Sequence, residues 1–218
     1  MGARSSGANG PMSVAPNVAT PPAHAGLTRL RDAARSCRAC DLWERATQTV
    51  FGEGPADARI VLIGEQPGDR EDDTGRPFVG PAGRILDEAL GEVGLSREEV
   101  FVTNVVKHFK WRPAAGSKRR LHERPSRAEV TACQPWVEAE LEAIRPEVVG
   151  LLGATAAQAL VSSAFSVTRD HGRIDVPALA PVVVATVHPS AILRARGADA
   201  RSALFSAFVA DLREIAAE

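Results

Sequence analysis

One histidine, His122, follows three consecutive cations in the segment KRRLHERPS, which runs from Lys118 to Ser126. An imidazole can act as a nucleophile, a general base or a metal ligand near neutral pH. The same pattern also fits a solvated basic loop in which the histidine has no role. The choice depends on which other reactive side chains the fold brings close to His122.

Three further segments carry polar side chains directly after apolar runs. In GEQPGD, Glu65 lies between Gly64 and Gly68, whose backbone can turn tightly and approach a ligand. In TNVVKHF, Asn104 offers a donor and an acceptor, which can read two adjacent edge atoms of a base. In VHPSAILR, His188 can donate to a carbonyl oxygen or stabilise developing negative charge. Taken singly, each could also be a core or capping residue.

Apolar side chains in loops form the next group. Phe78 lies in the glycine-bracketed loop GRPFVGPAG and is either a core residue or a face on which a flat heterocycle stacks. Ile192 and Leu193 stand beside Arg194 near the end of the last apolar run. Two exposed apolar groups next to a cation suit a wedge that enters a base stack.

The cysteines have the spacing of metal ligands. Cys37 and Cys40 form a C-x-x-C pair, and Cys133 lies far along the chain. Because the sequence has only three cysteines, His108 is the candidate for a fourth ligand. Three thiolates and one imidazole suit either zinc or an iron–sulfur cluster, and the spacing leaves both open.

Positive charge is concentrated between residues 107 and 127, although the net charge of the chain is −1. Phe109 and Trp111 are interleaved with the cations, and Glu123 is the one carboxylate among them. Such a concentration is typical of a surface that meets a phosphate backbone, with a solvated loop as the alternative. The cations are Lys107, Lys110, Arg112, Lys118, Arg119, Arg120, Arg124 and Arg127.

Composition limits the class of protein. Of the 218 residues, 44% are hydrophobic and 24% are charged, which are normal values for a globular domain. Three cysteines are too few for a disulfide-stapled secreted protein, and no apolar run approaches the roughly 18 residues of a membrane helix. The start of the chain lacks the charged-then-apolar order of a secretory signal. We therefore expect a cytoplasmic protein that does not associate with membranes.

Four apolar, β-branched runs position the polar segments: ARIVLIG, VFVTNVV, EVVGLLG and PVVVATV. They are near-continuous, as expected of strands buried on both faces of a parallel sheet. Helical patterns separate them, which predicts an α/β fold: a three-layer αβα sandwich around a four-stranded parallel sheet. Ligands bind beyond the carboxyl ends of such strands, so the polar segments should meet at one edge. Residues 1–26, rich in Gly, Ala, Ser and Pro, predict a disordered tail, and residues 27–218 a single domain.

Five segments in order, GEQPGDRED, PFVGPAGRILD, TNVVK, ACQPW and HPSAILR, resemble the iron–sulfur uracil-DNA glycosylases. The resemblance runs from about Cys37 to Arg194. It implies that Phe78 stacks on a uracil flipped out of the DNA, that Asn104 reads its edge and that His188 contacts its O2. It also implies one four-iron four-sulfur cluster held by Cys37, Cys40, His108 and Cys133. The expected substrate-binding residues are Gly64, Gln66, Gly68, Asp69, Phe78, Asn104 and Ser190.

Two departures are similar to the UdgX subgroup of these enzymes. His108 stands where typical members have a cysteine, and the longer interval before Cys133 contains AAGSKRRLH. Members of that subgroup have a KRRIH-type loop whose histidine attaches covalently to the sugar freed of uracil. The resemblance therefore implies that His122 is the nucleophile, with Leu121 in place of isoleucine as a mild change.

The implied chemistry is physically consistent. Breaking the glycosidic bond leaves an oxocarbenium-like sugar with an electrophilic C1′, and a well-placed neutral imidazole captures it faster than water does. Glu65, rather than Gln66, is expected to stabilise the cation or accept the imidazole proton. The expected catalytic residues are His122, Glu65 and His188. The expected DNA-binding residues are Lys118, Arg119, Arg120, Ile192, Leu193 and Arg194.

The expected partner is uracil-containing DNA, single-stranded and possibly double-stranded, bound by a monomer. Two alternatives stay open. The first is a conventional glycosylase that releases a free abasic site and turns over repeatedly. The second is a non-catalytic, metal-stabilised DNA-binding module.

Overall fold

The computed structural model describes residues 18–218, and a five-stranded sheet runs through the middle of this part of the chain. The four predicted strands are all present and parallel, which confirms the α/β class. A fifth strand at one edge is antiparallel, so the prediction of a purely parallel four-stranded sheet was incomplete. In spatial order the sheet contains β2 (Val100–Asn104), β1 (Ile60–Gly64), β5 (Val148–Leu152), β7 (Val182–Thr186) and β6 (Gly172–Ile174).

Two hydrophobic cores, one on each face of the sheet, account for the near-continuous apolar runs. In β1, Val61 and Ile63 pack into one core, whereas Leu62 packs into the other. Helices therefore cover both faces, as a three-layer sandwich requires. The helices are α1 (Leu27–Ala34), α2 (Asp69–Thr74), α3 (Pro81–Glu92), α4 (Arg127–Ile144), α5 (Ala154–Leu160), α6 (Val167–Asp170), α7 (Pro189–Arg194) and α8 (Ala198–Ala216). None of them, within residues 18–218, is long and apolar enough to cross a membrane.

The basic segment is a two-stranded antiparallel ribbon instead of the expected loop. Its strands are β3 (Trp111–Pro113) and β4 (Arg120–His122), and Trp111 pairs with His122. The ribbon is followed by α4, which begins with a capping box. The backbone N–H of Ser126 donates to Glu129 Oε2 at 2.6 Å, and the Glu129 N–H donates to Ser126 Oγ at 3.3 Å.

Part of the predicted tail packs against the domain. Residues 1–17 lie outside the described residues, but residues 18–26 run across α4. Ala19 and Ala25 are buried, and the Ala19 N–H donates to the carbonyl of Ala132 at 2.8 Å. Small apolar side chains can pack closely on a helix, so the packed part of the chain begins before residue 27.

Candidate active site

A cavity of about 690 Å³ opens at the carboxyl edge of the parallel strands. Its walls come from the loop after β1, the end of β2, the start of α5 and the segment after β7, as expected for an open α/β sheet. Glu65, Asn104 and His188 all line it. The structure also brings His122 of the ribbon to the same cavity.

Asn104 lies at the back of the cavity with an unpaired acceptor. Its side chain is 3% exposed, and its Oδ1 atom has no hydrogen-bond partner among the described residues. A Cβ at Gly64 would lie 2.5 Å from this oxygen and 2.6 Å from the ring of Phe78, so only glycine fits between them. A buried acceptor without a donor is unfavourable, and this one is suited to an N–H of a bound ligand.

Phe78 and His188 form an adjoining wall. Their ring centroids are 6.0 Å apart, and Phe78 is buried in a backbone conformation with φ +54°. The Ser190 N–H donates to His188 Nδ1 at 3.1 Å, so a neutral His188 carries its proton on Nε2. Burial, reinforced by the charge of Arg194, lowers the pKa of His188 to about 4. His188 is therefore a neutral hydrogen-bond donor at physiological pH.

Gln66 fixes the tautomer of His122. The Lys110 N–H donates to Gln66 Oε1 at 3.1 Å, and Gln66 Nε2 donates to the carbonyl of Glu123 at 2.9 Å. These backbone partners establish which end of the amide is the donor. Gln66 Nε2 lies 2.9 Å from His122 Nε2, so the imidazole nitrogen must accept. A neutral His122 therefore has its lone pair on Nε2 and its proton on Nδ1.

His122 is half exposed and faces a carboxylate. Its Nε2 lies 3.6 Å from Glu65 Oε1, and its ring centroid is 6.0 Å from that of Phe109. Burial lowers the pKa of His122, Glu65 opposes that shift, and Arg194 adds to it. The imidazole is consequently neutral at physiological pH, as a nucleophile must be.

Arg120 forms ion pairs with acidic side chains of α2. Its guanidinium contacts the carboxylate of Asp69 and lies 2.6 Å from Asp72 and 2.7 Å from Asp73. It also lies over the ring of Phe109 at 5.5 Å. Three carboxylates surround this cation, and the contact of Arg120 with DNA stays a prediction. Arg120 fastens the ribbon strand β4 to α2.

The same contacts bear on Asp69, which was also predicted to bind the substrate. Asp69 lines the cavity mouth, but its carboxylate is directed to Arg120 rather than left free for a substrate. Gly68 lies in the cavity wall, and a Cβ there would lie 2.7 Å from Glu71 Oε2. Lys118 and Arg119, at the tip of the ribbon, are exposed and form no ion pair within the described part of the chain.

The predicted wedge is reduced to one residue. Ile192 is 1% exposed and packs in the core between the sheet and α8, so its assignment to a DNA-binding surface was wrong. Leu193 is 38% exposed and stands at the cavity mouth. Adjacent residues on a helix point about 100° apart, which explains why the two cannot both face outward. Arg194 donates to Ser190 Oγ at 2.9 Å.

Two residues of the site carried no signal that singled them out in the sequence. Glu71, in an acidic run that suggests a solvated helix start, is 7% exposed and accepts the N–H groups of Gly68 and Gly80. It therefore ties two cavity loops together. Thr155 donates its hydroxyl proton to Glu65 Oε2. The contacts of Glu71 with Gly80 and of Thr155 with Glu65 cannot be inferred from local spacing, because the partners lie 9 and 90 residues apart.

The three cysteines lie around one end of α4. The backbone N–H of Lys107 donates to Cys133 Sγ at 3.2 Å, and Trp136 Nε1 donates to Cys37 Sγ at 3.3 Å. Burial raises the pKa of Cys133 to about 12, and the nearby thiols of Cys40 and Cys37 add to that rise. Within residues 18–218, no three His, Cys, Asp or Glu side chains are arranged to hold a single metal ion.

His108 is oriented by a hydroxyl. Thr49 Oγ1 donates to the carbonyl of Ala34 at 3.1 Å, so it accepts from His108 Nε2, which lies 2.9 Å away. The lone pair of a neutral His108 is therefore on Nδ1. Burial lowers the pKa of His108 to about 4, which keeps the imidazole in the neutral form that binds metals.

The fold and the site define a class of α/β proteins with a binding cavity at the carboxyl edge of the central sheet. The chain belongs to the uracil DNA glycosylase superfamily, whose family model matches residues 51–213.

Relatives are similar over most of their length. A type-4 uracil-DNA glycosylase of Thermotoga maritima is 41% identical over 168 residues, which cover 77% of this chain and 83% of the relative. A type-4 enzyme of Archaeoglobus fulgidus is 39% identical over 165 residues, covering 72% and 78%. A type-5 uracil-DNA glycosylase of Pyrobaculum aerophilum is 31% identical over 184 residues, covering 75% of each chain.

Proposed function

We propose that this protein is a uracil-DNA glycosylase that excises uracil and remains covalently attached to the sugar through His122, as in the UdgX subgroup. The observation that carries the proposal is the state of His122. Its imidazole is neutral, its Nε2 lone pair is fixed by Gln66, and this atom lies beside Glu65 at the cavity. A histidine in a solvated loop would have none of these partners.

Uracil binding uses the buried end of the cavity. The unpaired Asn104 Oδ1 can accept the N3–H of uracil, and the Phe78 ring offers a face for stacking. His188 Nε2–H can donate to O2, where negative charge develops as the base leaves. A neutral imidazole suits this task, because it already carries the Nε2 proton and can donate this hydrogen bond at physiological pH without being protonated further.

Bond cleavage and capture then follow as two steps. The C1′–N1 bond breaks, and its electron pair leaves with uracil as the N1 anion. The lone pair of His122 Nε2 forms a bond to C1′, and the resulting imidazolium loses its Nδ1 proton to water. Glu65 Oε1 stabilises the positive charge first on the sugar and then on the ring. Gln66 Nε2 can release His122, because two backbone carbonyls remain for its two protons.

The DNA strand would lie across the cavity mouth. Lys118 and Arg119 at the ribbon tip and Arg194 in α7 supply positive charge, and Leu193 supplies an apolar edge. The proposal includes action by a monomer in the cytoplasm, with residues 27–218 forming the catalytic domain. Whether the strand is single or double is left to experiment.

The proposal also includes a four-iron four-sulfur cluster held by Cys37, Cys40, Cys133 and His108. The residues fit such a group, because two of the sulfurs accept N–H donors and His108 keeps a lone pair on Nδ1. Ligands of a cluster bind different irons and stand farther apart than the ligands of a single ion. The cluster would supply a structural cross-link between α1, the end of β2 and α4.

The first test of function is incubation with a uracil-containing oligonucleotide, followed by a denaturing gel and measurement of released uracil. We expect a denaturant-stable protein–DNA band that contains one adduct for each uracil released. His122→Gly should release uracil and leave a free abasic site, because water can occupy the vacated space. His24→Gly is the matched control, since His24 is exposed and has φ +50°, which glycine adopts easily.

The alternatives give different gels. Released uracil without a stable band from the unmodified protein would indicate a conventional glycosylase. No released uracil would indicate a DNA-binding module. A stable band from His122→Gly would assign the nucleophile to another residue. For the cluster, iron and sulfide analysis should give about four of each per chain, and one zinc without iron would contradict it.

A further inference from the structure

The two oxygens of the Glu65 carboxylate have different surroundings. Oε1 lies 3.6 Å from His122 Nε2, whereas Oε2 accepts the hydroxyl proton of Thr155. Thr155 is 6% exposed and is the second residue of α5, so a helix rather than a loop holds its hydroxyl in place. The Thr155 hydroxyl therefore holds the carboxylate through the oxygen that does not face His122.

Arg124 determines the direction of this hydrogen bond. Its Nε donates to Thr155 Oγ1 at 3.3 Å, and a guanidinium has no acceptor. Thr155 must accept there, so its single proton is available only to Glu65. Arg124 Nε also lies 3.8 Å from Glu65 Oε2. Without the hydroxyl, the carboxylate would be attracted to Arg124.

The same helix also holds the chain just beyond the proposed nucleophile. Arg124 is two residues after His122, and its second terminal nitrogen donates to Gln158 Oε1 at 3.1 Å. Gln158 in turn donates to the carbonyl of Phe165 at 3.0 Å. The first turn of α5 therefore contacts both Glu65 and the segment that carries His122.

We propose that Thr155 is a positioning residue for the reaction: with Arg124, it keeps Glu65 Oε1 directed at the reacting carbon and aligned with His122. This inference rests on the proposed function, because that function gives Glu65 and His122 their roles. Thr155 lines the cavity, but its hydroxyl proton is donated to Glu65, so it acts on the reaction through that carboxylate. Its effect should therefore be seen in the rate of chemistry and not in the affinity for DNA.

The test compares Thr155→Val, Thr155→Ser and the unmodified protein under single-turnover conditions. Uracil release and denaturant-stable adduct are measured in the same quenched samples, and DNA affinity and thermal unfolding are measured separately. Thr155→Val should slow uracil release about ten- to hundredfold, as expected for the loss of one hydrogen bond to a charged group, with affinity changed less than about twofold. Thr155→Ser keeps the hydroxyl and should recover most of the rate. Thr28→Val, at an exposed position of α1, is the matched control.

Two results would overturn the proposal. One is a valine variant that releases uracil as fast as the unmodified protein. The other is a parallel loss of rate, affinity and thermal stability that serine does not recover, because that pattern describes a packing role. Failure of the proposed function would be recognised separately: the unmodified protein would release uracil without forming a stable band, and the Thr155 variants would still be compared through their rates of release.

Discussion

Asn104 ends one strand and His188 follows another, and both strands are buried along their whole length. His122, by contrast, ends a three-residue strand that has a single neighbour. The backbone around Asn104 is further fixed by Lys107, whose ammonium donates to the Asn104 carbonyl at 2.8 Å and pairs with Glu140 at 2.7 Å. The main sheet and its two cores thus position the groups that we propose bind uracil. The ribbon has no core of its own.

Side-chain contacts position the ribbon instead. Arg120 fastens it to the carboxylates of α2. Gln66 donates to the backbone carbonyls of Lys110, which precedes β3, and Glu123, which follows β4. The site therefore has two parts. The main sheet holds Asn104 and His188 rigidly, whereas a few polar contacts hold the ribbon that carries His122. We therefore expect substitutions to separate excision of uracil from capture of the sugar, and the predictions below test that division.

The largest effect is expected at the sheet edge. Asn104→Ala removes the buried acceptor and should slow uracil release about 10²- to 10³-fold, the usual cost of losing one preorganised polar group. Adduct should fall in proportion, because no electrophilic sugar is produced without cleavage. Single-turnover measurements of both products test this. If release slows less than tenfold, or adduct per released uracil changes, the two parts of the site are not divided as described.

A smaller and opposite pattern is expected in the ribbon. Arg120→Met removes the contacts with α2 and should lower adduct per released uracil about tenfold, the low end of the cost of losing a charged hydrogen bond. Uracil release should change little. Arg29→Met, exposed on α1, is the control for the loss of a surface cation. An equal decrease in uracil release and in capture would mean that Arg120 supports the whole site. A weaker salt dependence of DNA binding would support the prediction that Arg120 contacts DNA.

The sequence predicted the sheet edge better than the ribbon, for a physical reason. Strands buried on both faces require near-continuous apolar runs, and the ends of parallel strands meet at one edge, so Asn104 and His188 could be placed together. The antiparallel strand Gly172–Ile174 has only three residues at the rim of the sheet and no such run. The ribbon strands are equally short and mostly polar, so they have no periodic signal.

Contacts between distant residues explain the other differences. Arg120 looks like its neighbours Lys118 and Arg119 in the sequence, but its partners lie 47 to 51 residues away in α2. Thr155 lies 90 residues from Glu65. Ile192 was misplaced because the position at which α7 begins, and therefore which side faces inward, depends on the cap formed by His188.

Substituting the exposed ribbon tip should affect binding alone. Replacing both Lys118 and Arg119 by alanine removes two cations that form no ion pair within residues 18–218. If both meet phosphates, the slope of log affinity against log salt should decrease by roughly 0.7 to 0.9 for each lost contact. Release and capture at saturating DNA should stay unchanged. A slope equal to that of the unmodified protein would mean that the ribbon tip faces solvent in the complex.

The smallest expected effect is that of pH on capture. Burial lowers the pKa of His122, and Arg194 acts in the same direction against Glu65. The neutral imidazole is the proposed nucleophile. Because its pKa is lowered, capture should persist at pH values below the usual pKa of histidine and should decline only as the pH falls through the lowered pKa.

An imidazole of ordinary pKa, about 6.5, would be about three-quarters protonated at pH 6 and would capture about fourfold more slowly than at pH 8. We expect a smaller decrease than this over that range, measured as adduct per released uracil so that pH effects on excision cancel. His188, with its pKa near 4, should remain neutral throughout. A fourfold or larger decrease would mean that solvent reaches His122 more freely in the complex, and that the ribbon does not hold the imidazole against the cavity.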